Sequence, residues 1–245
     1  KIEGEIDTAA ALTALIERIA ALPVAPACVV ASGDLVNGGS EAEYRHLDRL
    51  LAGVRVPVHL LPGNHDERAA LSRVFGERLA RAGRAIQFAL DLGDWRVLGL
   101  DTLDAGRDSG WLCIDRLDWL HEQLSASPLP ALIVLHHPPF ECGVPGMDAI
   151  RLGNPDGLAA VLADHPQVLG VACGHVHRAL FTQWAGRPAV SCPGVAHQVH
   201  FDPRPGAPLA WTREPGGMLL HEFAAGVWRT QVLSGPAPTP HAYVG

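Results

Sequence analysis

"VLGVACGHVH", residues 168–177, sets His175 and His177 one residue apart at the end of an apolar run rich in small side chains. The run reads as a buried strand, and the imidazole pair marks where the chain leaves the core. The same pattern recurs three times upstream. "ACVVASGD" (27–34) ends in Asp34, "VPVHLLPGNHD" (56–66) in Asn64 and His65, and "PALIVLHHPP" (130–139) in His136 and His137. "WRVLGLDT" (95–102) is a further strand.

Helical patterns separate these strands. "IDTAAALTALIERIAAL" (6–22) repeats apolar residues at Leu12, Leu15, Ile16 and Ile19, with Asp7 or Thr8 able to cap it. "GSEAEYRHLDRLLAGV" (39–54) opens with Ser40 and Glu43 in capping-box spacing. "ERAALSRVFGERLARAG" (67–83) is expected to form a helix closed by Gly83, and "CIDRLDWLHEQL" (113–124) another. "NPDGLAAVLADH" (154–165) has Asn154 as cap and Pro155 in its first turn. Strands alternating with such helices define an α/β class with a parallel or mixed sheet and helices packed outside.

After Ala185 the texture changes. A Pro/Gly-rich loop (202–217) precedes two strand-like runs, "MLLHEF" and "VWRTQVL", at hairpin spacing. We expect one domain over 1–235 with an antiparallel C-terminal part, and an irregular tail over 236–245. The hairpin is also a candidate contact for a homodimer or higher homo-oligomer.

Composition narrows the function classes. The 245 residues are 48% hydrophobic, enough for a sizeable core, and no apolar run approaches the roughly 18 residues of a membrane span. No signal-peptide pattern opens the chain, so the expected location is cytoplasmic with no membrane partner. The net charge of −7, with one lysine, argues against a nucleic-acid polymer as partner. The five cysteines are scattered without a C-x-x-C pair and are read as reduced and mostly buried.

In α/β sheets the carboxyl ends of the strands form the crevice where ligands bind. Seven groups would therefore meet there: Asp34, Asn64, His65, His136, His137, His175 and His177. Thirteen histidines make chance placement common, so His46, His59, His121, His165 and His221 are read as surface or hydrogen-bonded core residues. Aspartate, asparagine and imidazole without thiolate suit Mn, Fe, Zn or Co. Because a carboxylate can bridge two ions, the set points to a dinuclear hydrolytic site with ions about 3.5–4 Å apart.

"SGDLVN", "PGNHD", "LHHPP" and "CGHVH", in this order and spacing, resemble the calcineurin-like metallophosphoesterases. With "GRDSGWL" and "PGVAHQV", the chain looks closest to bacterial class III cyclic-nucleotide phosphodiesterases and glycerophosphodiesterases. The resemblance implies a β-sandwich flanked by helices, four layers in αββα order. It implies two divalent or mixed-valence metal ions (Mn/Fe/Zn/Co), bridged by Asp34. Asn64, His136 and His175 would complete one ion's ligands, and His177 would bind the other. His65 would be catalytic, orienting the phosphate or protonating the leaving alkoxide, and His197 would lie near the substrate. His137 is expected to have a supporting or structural role, and Asp66 to be a turn or supporting residue, rather than to ligate.

The family opens with a strand ending in Asp-x-His, which supplies two ligands to the ion that His177 shares. No such motif precedes Asp34 here, so the resemblance places that strand upstream of Lys1. The expected activity is hydrolysis of a small phosphodiester, a 3′,5′-cyclic nucleotide or a glycerophosphodiester, by a metal-bound hydroxide. The competing reading, kept open by the missing motif, is a metal-poor, inactive superfamily member serving as a protein-interaction scaffold.

Overall fold

The computed structural model describes residues 5–236 and 238–239. Most of the expected tail, 237 and 240–245, lies outside them. The centre is a mixed six-stranded sheet of β3 (Phe88–Asp91), β4 (Arg96–Leu100), β5 (Ala131–Leu135), β6 (Val168–Cys173), β8 (Arg187–Ser191) and β7 (Leu180–Trp184), in that spatial order. The inner four strands run parallel, and β3 and β7 close the two edges antiparallel. β4 and β5 are buried along their whole length because both faces are covered, which explains apolar runs without alternation.

One face carries Leu98, Leu100, Ile133, Leu135 and Val171 against α4 (Ile114–Ser125) and α6 (Pro155–Ala163), through Leu117, Leu120, Leu124, Leu158 and Leu162. The opposite face carries Val97, Leu132, Val134, Ala172 and Val190 against Val30, Leu61, Leu219 and Trp228. Those partners belong to, or directly follow, β1 (Val29–Ala31), β2 (Val58–Leu60), β11 (Gly217–Ala224) and β12 (Val227–Ser234). Outside β1 and β2 lie α1 (Thr8–Ala20), α2 (Glu41–Leu51) and α3 (Arg68–Phe75), whose Tyr44, Leu47, Leu71 and Phe75 form another cluster. The expected αββα layering is therefore present.

Local signals held where the cap is intrinsic to the chain. Asp7 accepts from Ala10 N at the start of α1, and Ser40 with Glu43 closes a reciprocal capping box on α2. The β11–β12 hairpin turns on Ala225 and Gly226, both with positive φ (52° and 75°), as a two-residue primed turn requires.

Four readings need correction. The helix expected to reach Gly83 stops at Phe75, because Gly76 takes a φ of 52° that no α-helix can continue through and the chain passes into a 3₁₀ turn. Asn154 precedes α6 but does not cap it; its amide instead holds Leu112, accepting from Leu112 N (3.0 Å) and donating to Leu112 O (2.7 Å). Strands β3 and β7, the short α5 (Pro145–Asp148) and the two-residue pair β9 (Gln198–Val199) and β10 (Trp211–Thr212) were not anticipated. β10 lies inside the stretch read as loop, held only by its partner across the sheet. All five cysteines are free, but only Cys142 and Cys173 are buried; Cys28, Cys113 and Cys192 are half-buried. Among the described residues no helix is long and apolar enough to cross a membrane.

Candidate metal centre

Five strands, parallel within each of two sheets, lead into the candidate donors. β1 runs into Asp34, β2 into Asn64 and His65, β5 into His136 and His137, and β6 into His175 and His177, while β8 leads toward His197. Among the described residues, three of the five non-glycine residues with positive φ are Asp34 (52°), His175 (65°) and His177 (49°). The other two sit beside glycine in hairpin turns. Backbone held in this sparsely populated region at strand ends is a cost that the surrounding packing must offset, and such strain collects at functional sites.

His136 is the hub. Its Nδ1 is 2.8 Å from Ser32 O. A carbonyl only accepts, so Nδ1 carries the proton and, in the neutral ring, Nε2 is a bare lone pair. That lone pair faces Asp34 Oδ2 at 3.3 Å, Asn64 Oδ1 at 3.2 Å and His175 Nδ1 at 3.2 Å. Two oxygens and two nitrogens pointed at one another repel unless something positive lies among them. In the metal-free chain burial lowers the His136 pKa, but the Asp34 carboxylate, with the Ser32 carbonyl, opposes it and the net shift is upward. Asp34 shows the reciprocal effect. Burial raises it, yet the charge of His136 and the hydrogen bonds from His136 and the His65 backbone N–H (3.1 Å) hold it well below the usual carboxylate range.

The donors therefore fit a cation. His175 adds to this: its Nε2 is buried and has no hydrogen-bond partner, an arrangement that is expensive when the ring serves only packing. Close approach is built into the backbone as well. A Cβ on Gly63 would stand 2.2 Å from Asp34 Oδ1 and 2.7 Å from His136 Nε2, so only glycine lets this loop lie against the donors.

His137 lies in the cluster but is not available. Its potential ligand atom, with those of His136 and His175, falls in a group spanning 4.8 Å. Both its ring nitrogens are taken, however: Nδ1 by the Thr102 hydroxyl at 2.8 Å and Nε2 by Asp108 O at 3.1 Å. It packs edge-on against His136, with ring centroids 4.7 Å apart. Its expected supporting role matches this geometry.

Asp66 also supports. Its Oδ2 accepts from Leu35 N (3.0 Å) and Gly63 N (2.8 Å), tying the loop of Asp34 to the loop of Asn64, and its Oδ1 accepts from the Tyr44 hydroxyl (2.8 Å). His65 is exposed, with Nδ1 on Asn37 O at 3.1 Å. His177 and His197 approach each other, Nδ1 to Nε2, at 3.2 Å.

Sequence reading missed Thr102, Asp101 and Arg68, which brace this end of the sheet. The signal was present: Asp101 and Thr102 follow β4 just as Asp34 follows β1. Only the absence of a second ligand type beside them hid it.

A match to the calcineurin-like phosphoesterase family model spans residues 6–179, which carries every one of these donors except His197. The chain belongs to that family. Among its relatives, the glycerophosphodiester phosphodiesterase GpdQ of Enterobacter lignolyticus is 32% identical over 235 residues, covering 93% of this chain and 83% of the relative. The 3′,5′-cyclic adenosine monophosphate phosphodiesterase CpdA of Escherichia coli K12 is 34% identical over 206 residues, covering 83% of this chain and 73% of that protein. A dimetal phosphatase from Danio rerio has a similar fold, with a TM-score of 0.54 at 20% identity over 78% of this chain and 82% of that one.

Burial sets the pH response of the metal-free protein. Burial first, then neighbouring histidines, pushes His175 down to about 3 and His177 to about 4, and burial alone takes His221 to about 4. An unfolded histidine titrates near 6.5. Between these values the unfolded chain binds more protons than the folded one, so stability rises with pH across that window and is lost as pH falls. We expect the melting temperature of chelator-treated protein to fall as pH drops from 6.5 toward 4.5. A flat calorimetric profile over that range would contradict the burial of these rings.

Proposed function

We propose that the protein is a metal-dependent phosphodiesterase that hydrolyses small phosphodiesters, a 3′,5′-cyclic nucleotide or a glycerophosphodiester, at a two-ion centre. The observation that carries the reading is the convergence of Asp34, Asn64 and His175 on His136 Nε2, a set of lone pairs that calls for a cation. Asp34, Asn64, His136 and His175 hold one ion, and Asp34 with His177 holds another. Oxygen and imidazole donors without thiolate suit Mn, Fe, Zn or Co. When bound, such ions lower the pKa of water toward neutrality and offset charge developing on the phosphoryl oxygens.

The chain supplies the remaining steps. Asn64, half-buried, and the buried His136 and His175 form the floor, so the scissile phosphate is held on the open side. His65 sits on that side. With its Nδ1–H committed to Asn37 O, its Nε2 is the nitrogen left to meet the phosphate or give a proton to the leaving oxygen. Relatives named for glycerophosphodiesters and for cyclic AMP support both substrate classes.

Metal analysis of the purified protein, paired with turnover of bis(p-nitrophenyl) phosphate, tests this. We expect close to two ions per chain, loss of turnover with chelator, recovery on adding Mn²⁺, and at least about a hundredfold lower kcat in Asn64→Ala. A protein that binds no metal and turns over no diester would instead be the scaffold.

A further inference from the structure

An apolar wall, half open to solvent, leads away from the donors. His197, whose Nε2 is 3.2 Å from His177 Nδ1, meets Trp211 edge-on, with ring centroids 6.2 Å apart at 77°. Trp211 pairs with Val199 across β9 and β10, and the pairing continues outward, His200 N donating to Ala210 O at 2.8 Å. In such a ribbon, residues in register and every second residue share a face. Phe201 and Leu209 therefore extend the row begun by Val199 and Trp211, on the side away from His197. Trp211 is half-buried, and Phe201 and Leu209 are each 52% exposed.

The ribbon is anchored where it meets the donors. Arg178, directly after His177, donates to Val199 O (2.7 Å) on one arm and to Glu214 Oε1 (3.1 Å) just past the other. The buried Gln198 side chain accepts from Gly194 N (3.1 Å) and donates to Gly194 O (2.9 Å). Further out, Leu209 lies over Gly146, where a Cβ would come within 2.7 Å of it, and Phe201 stands 3.8 Å from the Cβ position of Gly143. A surface of aromatic and aliphatic carbon offers little to the hydroxyls of a glycerol. It suits the flat face of a nucleobase, whose stacking on aromatic rings needs no hydrogen-bond match. A quaternary ammonium is recognised by a cage of aromatic faces, whereas a row along one ribbon face is a platform. The spacing fits as well: a base stands one ribose from its phosphate, and Trp211 stands one imidazole from His177.

We infer that Trp211 is a specificity-determining residue: with Phe201 and Leu209 it seats the base of a cyclic nucleotide whose phosphate lies at the metal centre. The inference rests on the phosphodiesterase reading above and deepens it, choosing the cyclic nucleotide over the glycerophosphodiester. His197 then stands between base and phosphate.

The test measures kcat/KM of the Mn²⁺-loaded full-length protein for 3′,5′-cyclic AMP and for glycerophosphoethanolamine, in wild type, Trp211→Ala, Trp211→Phe and Phe201→Ser. Wild type should favour cyclic AMP. In W211A the ratio of the two values is expected to fall about tenfold, through KM rather than kcat, and W211F should restore most of it. F201S, which lies beyond the His197 contact, should lower the ratio in the same direction by less. Calorimetry supplies a readout without turnover: AMP should bind wild type about tenfold more tightly than ribose 5-phosphate, and W211A should bind the two alike. Equal losses for both diesters in W211A would overturn the inference, leaving Trp211 as a support for His197. So would an unchanged ratio, or a wild type that favours glycerophosphoethanolamine, and each of these would leave the phosphodiesterase reading standing. A change of oligomeric state in F201S with the ratio intact would assign the wall to a second copy of the chain. A wild type that hydrolyses neither diester would overturn both readings.

Discussion

Asp34→Asn is expected to lower kcat for bis(p-nitrophenyl) phosphate by about a thousandfold, the rate equivalent of roughly 4 kcal/mol. Asparagine keeps the side-chain shape, and its carbonyl can still accept from the His65 backbone N–H, now 3.1 Å from Asp34 Oδ1. What is lost is the negative charge opposite His136 Nε2 at 3.3 Å. Without it the largest influence opposing the burial of His136 is gone, and this cluster of described donors loses its carboxylate. Metal content should fall together with turnover. Retention of both ions with full turnover would show that Asp34 only shapes the loop.

Asp101→Ala is expected to destabilise the protein by about 3–5 kcal/mol, the usual cost of removing one partner of a buried ion pair. Asp101 is fully buried and receives Arg68 Nε (2.7 Å) and Nη2 (2.6 Å), Ile86 N (2.9 Å) and Leu103 N (3.0 Å). Its removal leaves the Arg68 guanidinium with only the Leu103 carbonyl as acceptor and strands two backbone N–H groups. For a chain of this size the melting temperature should drop by roughly 6–20 °C in scanning calorimetry. Asp101→Asn, which keeps two of the acceptor contacts, should lose less. Because Arg68 begins α3 directly after the Asn64–His65 loop, the alanine variant should also bind metal more weakly. A change of less than 2 °C would mean that Arg68 finds water or another acceptor, and that the loop does not depend on this brace.

The candidate donors were legible because each follows a strand whose apolar run announces itself: Asp34, Asn64, His136 and His175 all stand within four residues of a strand end. The capping box at Ser40 and Glu43 and the hairpin at Ala225–Gly226 were legible for a similar reason, since the groups that satisfy them lie within a few residues. Asn154 misled because its residue type fits a cap equally well. Its partner Leu112 lies 42 residues away, beyond any local pattern.

Sequence alone therefore determined the α/β alternation, the family and the donor types, because these depend on periodicity and on short motifs whose chemistry is carried by neighbours in the chain. Tertiary structure alone decided which donors face one another. It gave both nitrogens of His137 to Thr102 and Asp108, and it left His136 Nε2 bare by spending Nδ1 on Ser32, 104 residues away. The physical reason is that an imidazole's role is set by what its second nitrogen touches, and that partner comes from another strand.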